Sequence, residues 1–353
     1  MSIFVRNLVI FLILLLPIHS FSAEIIASFK VPVNNKVIDK IAEEFEIVDR
    51  SDGFYTVYVL QQKINKFKSL APGAVILEQD INAKLHSPSQ LLRSGYHSYQ
   101  QIKDMTYDLE KSYPGLAKVI KYGKSNKGRE LLALKISDNV ATDEAEPKVL
   151  LTAATHGDEL ITVEVLMELT KQILAGYKSD LKFTDMVNTK ELYIIFNINP
   201  DGFARRSRYA SGIDPNRQYP WPGKSGHVST LSCVTSIIKF YEKIKFSGSI
   251  DFHAHGKLIM YPWAYTRGKV ESHDSVEFQN LTKDMAKSNG YRYGQISKII
   301  YVAKGSSADY YYWKTKSLAL GIELTTSKYP SKSRIPSIVK ETSEMTWKFI
   351  KHF

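Results

Sequence analysis

The rhythm of apolar and polar positions changes near residue 96 of this 353-residue chain. Before it, short segments alternate quickly. IIASFKV, FYTVYVL and AVILEQ are β-rich runs, whereas NKVIDKIAEEF and QQKINKFKSL carry apolar residues at helical spacing with charges between them. Their order predicts β-α-β-β-α-β over residues 23–80, a small α+β module of ferredoxin-like type. A unit of that size lies at the low end of independent stability, so it is expected to lean on the remainder of the chain. Residues 81–95 are polar, include Lys84, Pro88 and Arg93, and read as a linker. From residue 96 to 353 the units lengthen. KVLLTAAT, LYIIFNINP, FSGSIDF and LALGIELTT are near-continuous apolar runs, as expected of strands covered on both faces. Helical segments such as ITVEVLMELTKQIL and VEFQNLTKDMAKSN lie between them, which predicts an α/β domain with a largely buried sheet flanked by helices.

The N-terminus fits neither pattern. Arg6 precedes nine unbroken apolar residues, Leu8 to Leu16, and Pro17 ends the run. A membrane-spanning helix needs about 20 such residues. The run fits the apolar core of a secretory signal, with Ser20 and Ser22 as the small residues before a cut after residue 22. A membrane anchor is the alternative. Residues 1–22 are therefore expected to be a signal peptide and the mature protein to be exported, to the periplasm or the medium, with no span left.

Composition narrows the classes further. Hydrophobic residues at 44% and charged residues at 24% exclude a disordered or fibrous protein. The net charge of +11 favours anionic surroundings or ligands, but no basic block marks a nucleic-acid arm. The single cysteine, Cys233, excludes an internal disulfide framework and any CxxC metal knuckle, and is expected to be a buried thiol. A monomer is expected.

The run KVLLTAAT leads straight into HGDE, which sets His156 and Glu159 three residues apart. At a strand-to-helix corner that spacing lets an imidazole and a carboxylate converge on one ion. A third ligand has to come from elsewhere, and DFHAHG offers His253 at the end of a strand. Two His and one Glu are the open three-ligand set of catalytic zinc, with water in the fourth position. His255 competes with His253, because period-two alternation puts both on one face if the strand continues.

These segments belong to an ordered set that resembles the zinc carboxypeptidases of the carboxypeptidase A type. YGKSNKGR is similar to that family's early GxSxxGR element, HGDE to its zinc pair, and NPDGFARRSR with GIDPNRQYP to its NPDG and DxNR elements. DFHAHGKLIMYPW resembles the segment with the third ligand, and YVAKGSSADYYYWKTKSLALGIEL the closing segment. The resemblance runs from about Tyr96 to the C-terminus. It implies a mixed sheet, one Zn2+ per chain held by His156, Glu159 and His253, and a peptide substrate cut at its C-terminal bond. It implies Glu323 as the general base and Arg205 as the fixed charge facing the developing oxyanion, with Arg206 one residue away as the rival. Asn216 and Arg217 are implied as the clamp on the substrate's terminal carboxylate, where a forked guanidinium matches two oxygens, with Tyr301 closing over it.

The floor of the family's last-residue pocket falls on Ala308, with Ser306, Ile296, Ala264 and Gly321 around it. None is charged, which implies an apolar or aromatic last residue. Lys304 and Lys257 lie nearby in sequence and tilt the alternative toward an anionic group. The chain departs from the family at LSCVT, at His255 and at Asp158, which touches outer subsites and the surroundings of the metal. Trimming of peptidoglycan stem peptides, and a peptide-binding module that has lost catalysis, are the other functional readings. The small module is similar to the inhibitory pro-domain of secreted relatives, and a permanent accessory domain is its alternative.

Overall fold

The structure, a computed structural model, describes residues 25–51, 53–81, 95–269, 272–328 and 330–353. The expected signal segment 1–22 and the body of the linker lie outside the described residues.

The first strands build a four-stranded antiparallel sheet: β1 (Ile26–Pro32), β2 (Glu46–Ser51), β3 (Phe54–Leu60) and β4 (Val75–Glu78), in the order β2-β3-β1-β4. β3 alternates strictly, with Tyr55, Val57 and Val59 buried. Asn34 caps the helix Asn35–Ile41 by accepting from the amides of Lys36 and Val37. The second helix, Ile64–Leu70, buries Phe67 against Phe29 of the sheet, with ring centroids 4.8 Å apart. β2 is an edge strand, a position that matters for the cleft.

An eight-stranded mixed sheet forms the large domain, as the apolar runs and the resemblance led one to expect. Its strands are β5 (Ala117–Lys124), β6 (Glu130–Ile136), β7 (Lys148–Thr152), β8 (Glu191–Ile195), β9 (Gly248–Ala254), β10 (Leu258–Tyr261), β11 (Arg292–Gln295) and β12 (Leu318–Leu324). They are ordered β11-β10-β12-β9-β7-β8-β6-β5, and β8, β7, β9 and β12 run parallel to one another. Every residue of β8 and β9 is buried, which is why their sequences show no alternation. Val149, Leu151, Ile250, Phe252, Leu320 and Ile322 share a core with the helices Leu160–Gly176, Ser272–Ala286 and Ile335–Lys351. Leu150, Tyr193 and Ala319 join the other core with the helices Ser232–Ile244 and Ser307–Thr315, where Cys233 is a free buried thiol. No helix among the described residues is long and apolar enough to cross a membrane.

Two motifs that are far apart in sequence lock together beside this sheet. Asp201 of NPDG accepts from Ser125 Oγ at 2.8 Å, the Lys127 amide at 3.0 Å and Arg129 Nη1 at 2.7 Å, all in the SNKGR turn. Gly157 of HGDE packs directly on the backbone of Gly202 and Phe203, where an added Cβ would lie 2.2 Å from two main-chain atoms. Close packing therefore sets the residue type here, and Gly157→Ala must push two loops apart. It is expected to destabilise the protein by about 1–3 kcal/mol, read as a lower urea midpoint at unchanged m-value. An unchanged midpoint would show that the contact is slack.

The small module shares one continuous buried apolar cluster with the large domain, and charge pairs add to that contact. Asp39 takes a forked pair of hydrogen bonds from Arg267 at 2.5 and 2.9 Å, and Glu43 pairs with Lys304 at 2.8 Å. Tyr55 reaches the Ile300 carbonyl at 3.5 Å.

Candidate active site

Three parallel strands end side by side at one edge of the large sheet. Beyond β7 the chain turns into the helix Leu160–Gly176, with His156 in the turn and Glu159 at the helix N-cap. β9 carries His253 and β12 carries Glu323, each one residue from the strand end, and the two are register partners. Because β9 stops at Ala254, the alternation that made His253 and His255 equivalent does not continue. His255 lines the cleft, but the ligand group consists of His156, Glu159 and His253.

The three side chains are buried and their donor atoms face one point. His156 Nδ1 lies 2.9 Å from Glu159 Oε1, His253 Nδ1 lies 3.1 Å from Glu159 Oε2, and the two Nδ1 atoms are 3.1 Å apart. Adjacent corners of a tetrahedron with metal–ligand bonds of about 2.0–2.1 Å are roughly 3.3 Å apart, so the set fits zinc. The outer ring nitrogens meet carboxylates: His156 Nε2 is 3.1 Å from Asp214 Oδ1, and His253 Nε2 is 3.0 Å from Asp251 Oδ2. Such partners hold the proton on Nε2 and turn the Nδ1 lone pair inward. Asp251 is fixed in turn by the hydroxyls of Thr152, Thr155 and Ser307 at 2.9–3.1 Å.

Burial makes these charges interdependent. Burial alone would raise the Glu159 pKa, but the two imidazoles hold it well below the usual carboxylate range. Burial opposes a charge on His253, yet Asp251 and Glu159 push its pKa well above the ordinary imidazole value. Glu323 goes the other way: burial, with the Glu159 carboxylate nearby, pushes it up to about 7. Its Oε2 is buried without a hydrogen-bond partner among the described residues.

Arg205 is not part of this cleft. It caps the one-turn helix Pro200–Ala204 at its exposed end, because the tight NPDG turn directs that position to solvent. The guanidinium of Arg206 stacks over Phe203 at 4.7 Å and donates to the His97 carbonyl. Arg208 enters instead. Its Nε and Nη2 grip Asp214 at 3.0 and 2.9 Å, and its Nη1 lies 3.2 Å from His156 Nδ1 and 3.8 Å from Glu159. Three arginines within four residues gave no local signal for choosing among them; only the Asp214 pairing does.

Asn216 and Arg217 sit on the turn Pro215–Arg217, which Asp214 caps. Asn216 Oδ1 accepts from the Ser307 amide at 2.9 Å, and Arg217 Nη2 lies 3.3 Å from the Tyr301 hydroxyl. Arg217 Nε is buried and has no partner among the described residues. Gly305, at φ +79°, lets the chain pass so close to Arg217 that an added Cβ would lie 2.5 Å from its carbonyl oxygen. Ala308, Ser306, Ile296, Ala264 and Gly321 all line the cleft, joined by Met260. Lys304 and Lys257 do not line it; their ammonium groups pair with Glu43 and Glu341. The opposite wall was not read from the sequence: it comprises Glu46, Ile47 and Val48 of β2 together with Lys328.

Residues 102–345 match the family described as zinc carboxypeptidase. A zinc carboxypeptidase of Saccharothrix mutabilis subsp. capreolus is 30% identical over 283 residues, 68% of this chain and 63% of that protein. Mouse carboxypeptidase A2 is 25% identical over 294 residues, 71% of this chain and 68% of that one. The chain thus spans just under two thirds of the bacterial relative's length. In structure it is similar to the carboxypeptidase A of Helicoverpa armigera, with a TM-score of 0.77 at 18% identity over 92% of this chain and 96% of that one. Thrombin activatable fibrinolysis inhibitor superposes with a TM-score of 0.70 at 17% identity, over 93% and 98% of the two chains. Both superpositions reach beyond the large sheet into the small module, and both speak for fold.

Purified protein is expected to hold one zinc per chain by elemental analysis and to lose it in Glu159→Ala. Asp251→Ala should weaken zinc binding by about 10–100-fold, measured by competition with a chromogenic chelator. Full affinity in that variant would remove Asp251 from the site's support.

Proposed function

The chain belongs to the zinc carboxypeptidase family, and we propose that it is an exported metallocarboxypeptidase removing single residues from the C-terminus of peptides. The observation that carries this reading is the pocket beside the His156–Glu159–His253 set. Its floor positions Ala264, Ile296, Ser306, Ala308 and Gly321 are uncharged, and the buried Arg217 Nε has no partner among the described residues. A forked cation lining a pocket is complementary to a terminal carboxylate. Ala308 and its uncharged neighbours favour an apolar or aromatic last side chain. The pairing of Lys304 and Lys257 with other acids weighs against an anionic one.

In this reading Asn216, Arg217 and Tyr301 hold the terminal carboxylate and so set the scissile bond at a fixed distance from Glu323. When bound, zinc supplies a Lewis acid for the carbonyl and for the attacking water. Arg208, held by the contacts of its Nε and Nη2 with Asp214, keeps a positive charge beside the carbonyl oxygen as negative charge develops there. Glu323 takes a proton from the water and returns it to the leaving amine. A pKa near 7 suits a group with both tasks at neutral pH.

The organisation proposed is a signal peptide over 1–22, a covering module over 23–80, a linker over 81–95 and the catalytic domain over 96–353. The intrusion of Glu46, Ile47 and Val48 into the cleft supports an inhibitory role for the module over a merely accessory one.

A mixed peptide library incubated with the protein, before and after trypsin clipping near Lys84 or Arg93, tests all of this by mass spectrometry. Loss of single C-terminal residues that a chelator blocks, and that grows on clipping, is the expected outcome. Internal cuts would sink the exopeptidase reading, and equal activity before and after clipping would sink the inhibitory one. Glu323→Gln should lower kcat by about 10²–10⁴ and Arg208→Ala by about 10²–10³. Arg205→Ala should stay within about twofold of the parent.

A further inference from the structure

Glu46 enters the cleft but does not reach the carboxylate clamp. Its carboxylate accepts from Lys328 Nζ and lies 3.6 Å from Arg208 Nη1, whereas Arg217 meets Tyr301. Lys328 also donates to Asp158 Oδ2 at 2.7 Å. Glu46, Lys328 and Arg208 are all more than nine-tenths buried. The cleft therefore has two separate cationic seats. One is Arg217; the other is Lys328, tied to Asp158, which lies in sequence between the ligands His156 and Glu159. Arg208 stands between them, since it grips Asp214 on the clamp's turn and faces Glu46 on its other side.

What occupies the second seat resembles a peptide. β2 is an edge strand, and Glu46, Ile47 and Val48 are consecutive residues along the cleft wall. Glu46 is thus an acidic side chain on an extended chain, held by a lysine steadied by its own counter-ion. A substrate whose end is at Arg217, and whose scissile carbonyl faces Arg208, runs on toward Lys328 with the residue just before the cut.

We propose that Lys328, positioned by Asp158, selects the side chain immediately upstream of the scissile bond and favours an acidic one, which takes the seat of Glu46 in the intact chain. The proposal rests on the carboxypeptidase reading. An ammonium with a carboxylate already on one of its donors has donors left for a second, and a buried charge-assisted bond of this kind discriminates strongly. A lysine side chain at the same position would face two cations.

The test uses full-length protein clipped near Lys84 or Arg93 and short peptides ending X-Phe, with X as Glu, Gln, Ala or Lys. Both kcat/KM and, in Glu323→Gln protein, calorimetric Kd are measured. Glu is expected to exceed Lys by about tenfold or more in each. Lys328→Met should erase that ratio, and Lys328→Arg should keep it. Melting curves report whether either variant has lost its fold. Cleavage with equal rates for Glu, Gln and Lys would overturn the proposal and leave the carboxypeptidase reading standing. So would a preference for Lys, which would assign the seat to Asp158 Oδ1, which has no partner among the described residues. Peptides neither bound nor cut would overturn both.

Discussion

Four acids, two histidines and an arginine gather beside the ends of β7, β9 and β12, and this protein can keep them largely out of water only because nearly all are paired. An isolated carboxylate out of water is penalised by several kcal/mol, and a partner with good geometry offsets that. Asp214 does so twice, with a forked grip on Arg208 and a contact to His156 Nε2. Asp251 meets His253 and three hydroxyls. Glu159 stands between both imidazoles. The exception is Glu323, one of whose oxygens has no partner among the described residues, and its pKa rises accordingly. The group left unsatisfied is the one whose proposed task is to gain and lose a proton.

The same balance of burial and pairing explains the small module. Its contacts with the large domain set Asp39, Glu43 and Glu46 against Arg267, Lys304 and Lys328. The first two pairs are partly or largely exposed and worth little each. The third is buried and continuous with the cleft, so a carboxylate there is held firmly while the module stays attached. One of the docking contacts thus also occupies the cleft.

Much of the fold and of the candidate site was legible in the order of residues. Near-continuous apolar runs announced strands buried on both faces, and β8 and β9 are buried throughout. The His156–Glu159 spacing at a strand-to-helix corner pointed to a metal pair, and the two side chains do converge. The floor positions around Ala308 all reach the cleft. Each of these signals is local or tied to an ordered motif.

Arg208, Lys328 and Glu46 were not legible. Local sequence offers Arg205, Arg206 and Arg208 on equal terms, and the choice falls to Asp214, whose position depends on a turn packed against another strand's end. Lys328 and Glu46 are 282 residues apart and meet only when a separate module docks. Sequence by itself determined the element types, the family motifs and the His156–Glu159 pair, because periodicity and short spacings are properties of neighbours along the chain. Only the tertiary structure decided that His253 joins that pair, which arginine lies beside it, and what occupies the cleft. Those outcomes depend on which charges are forced to share a buried space, and burial is a property of the whole fold.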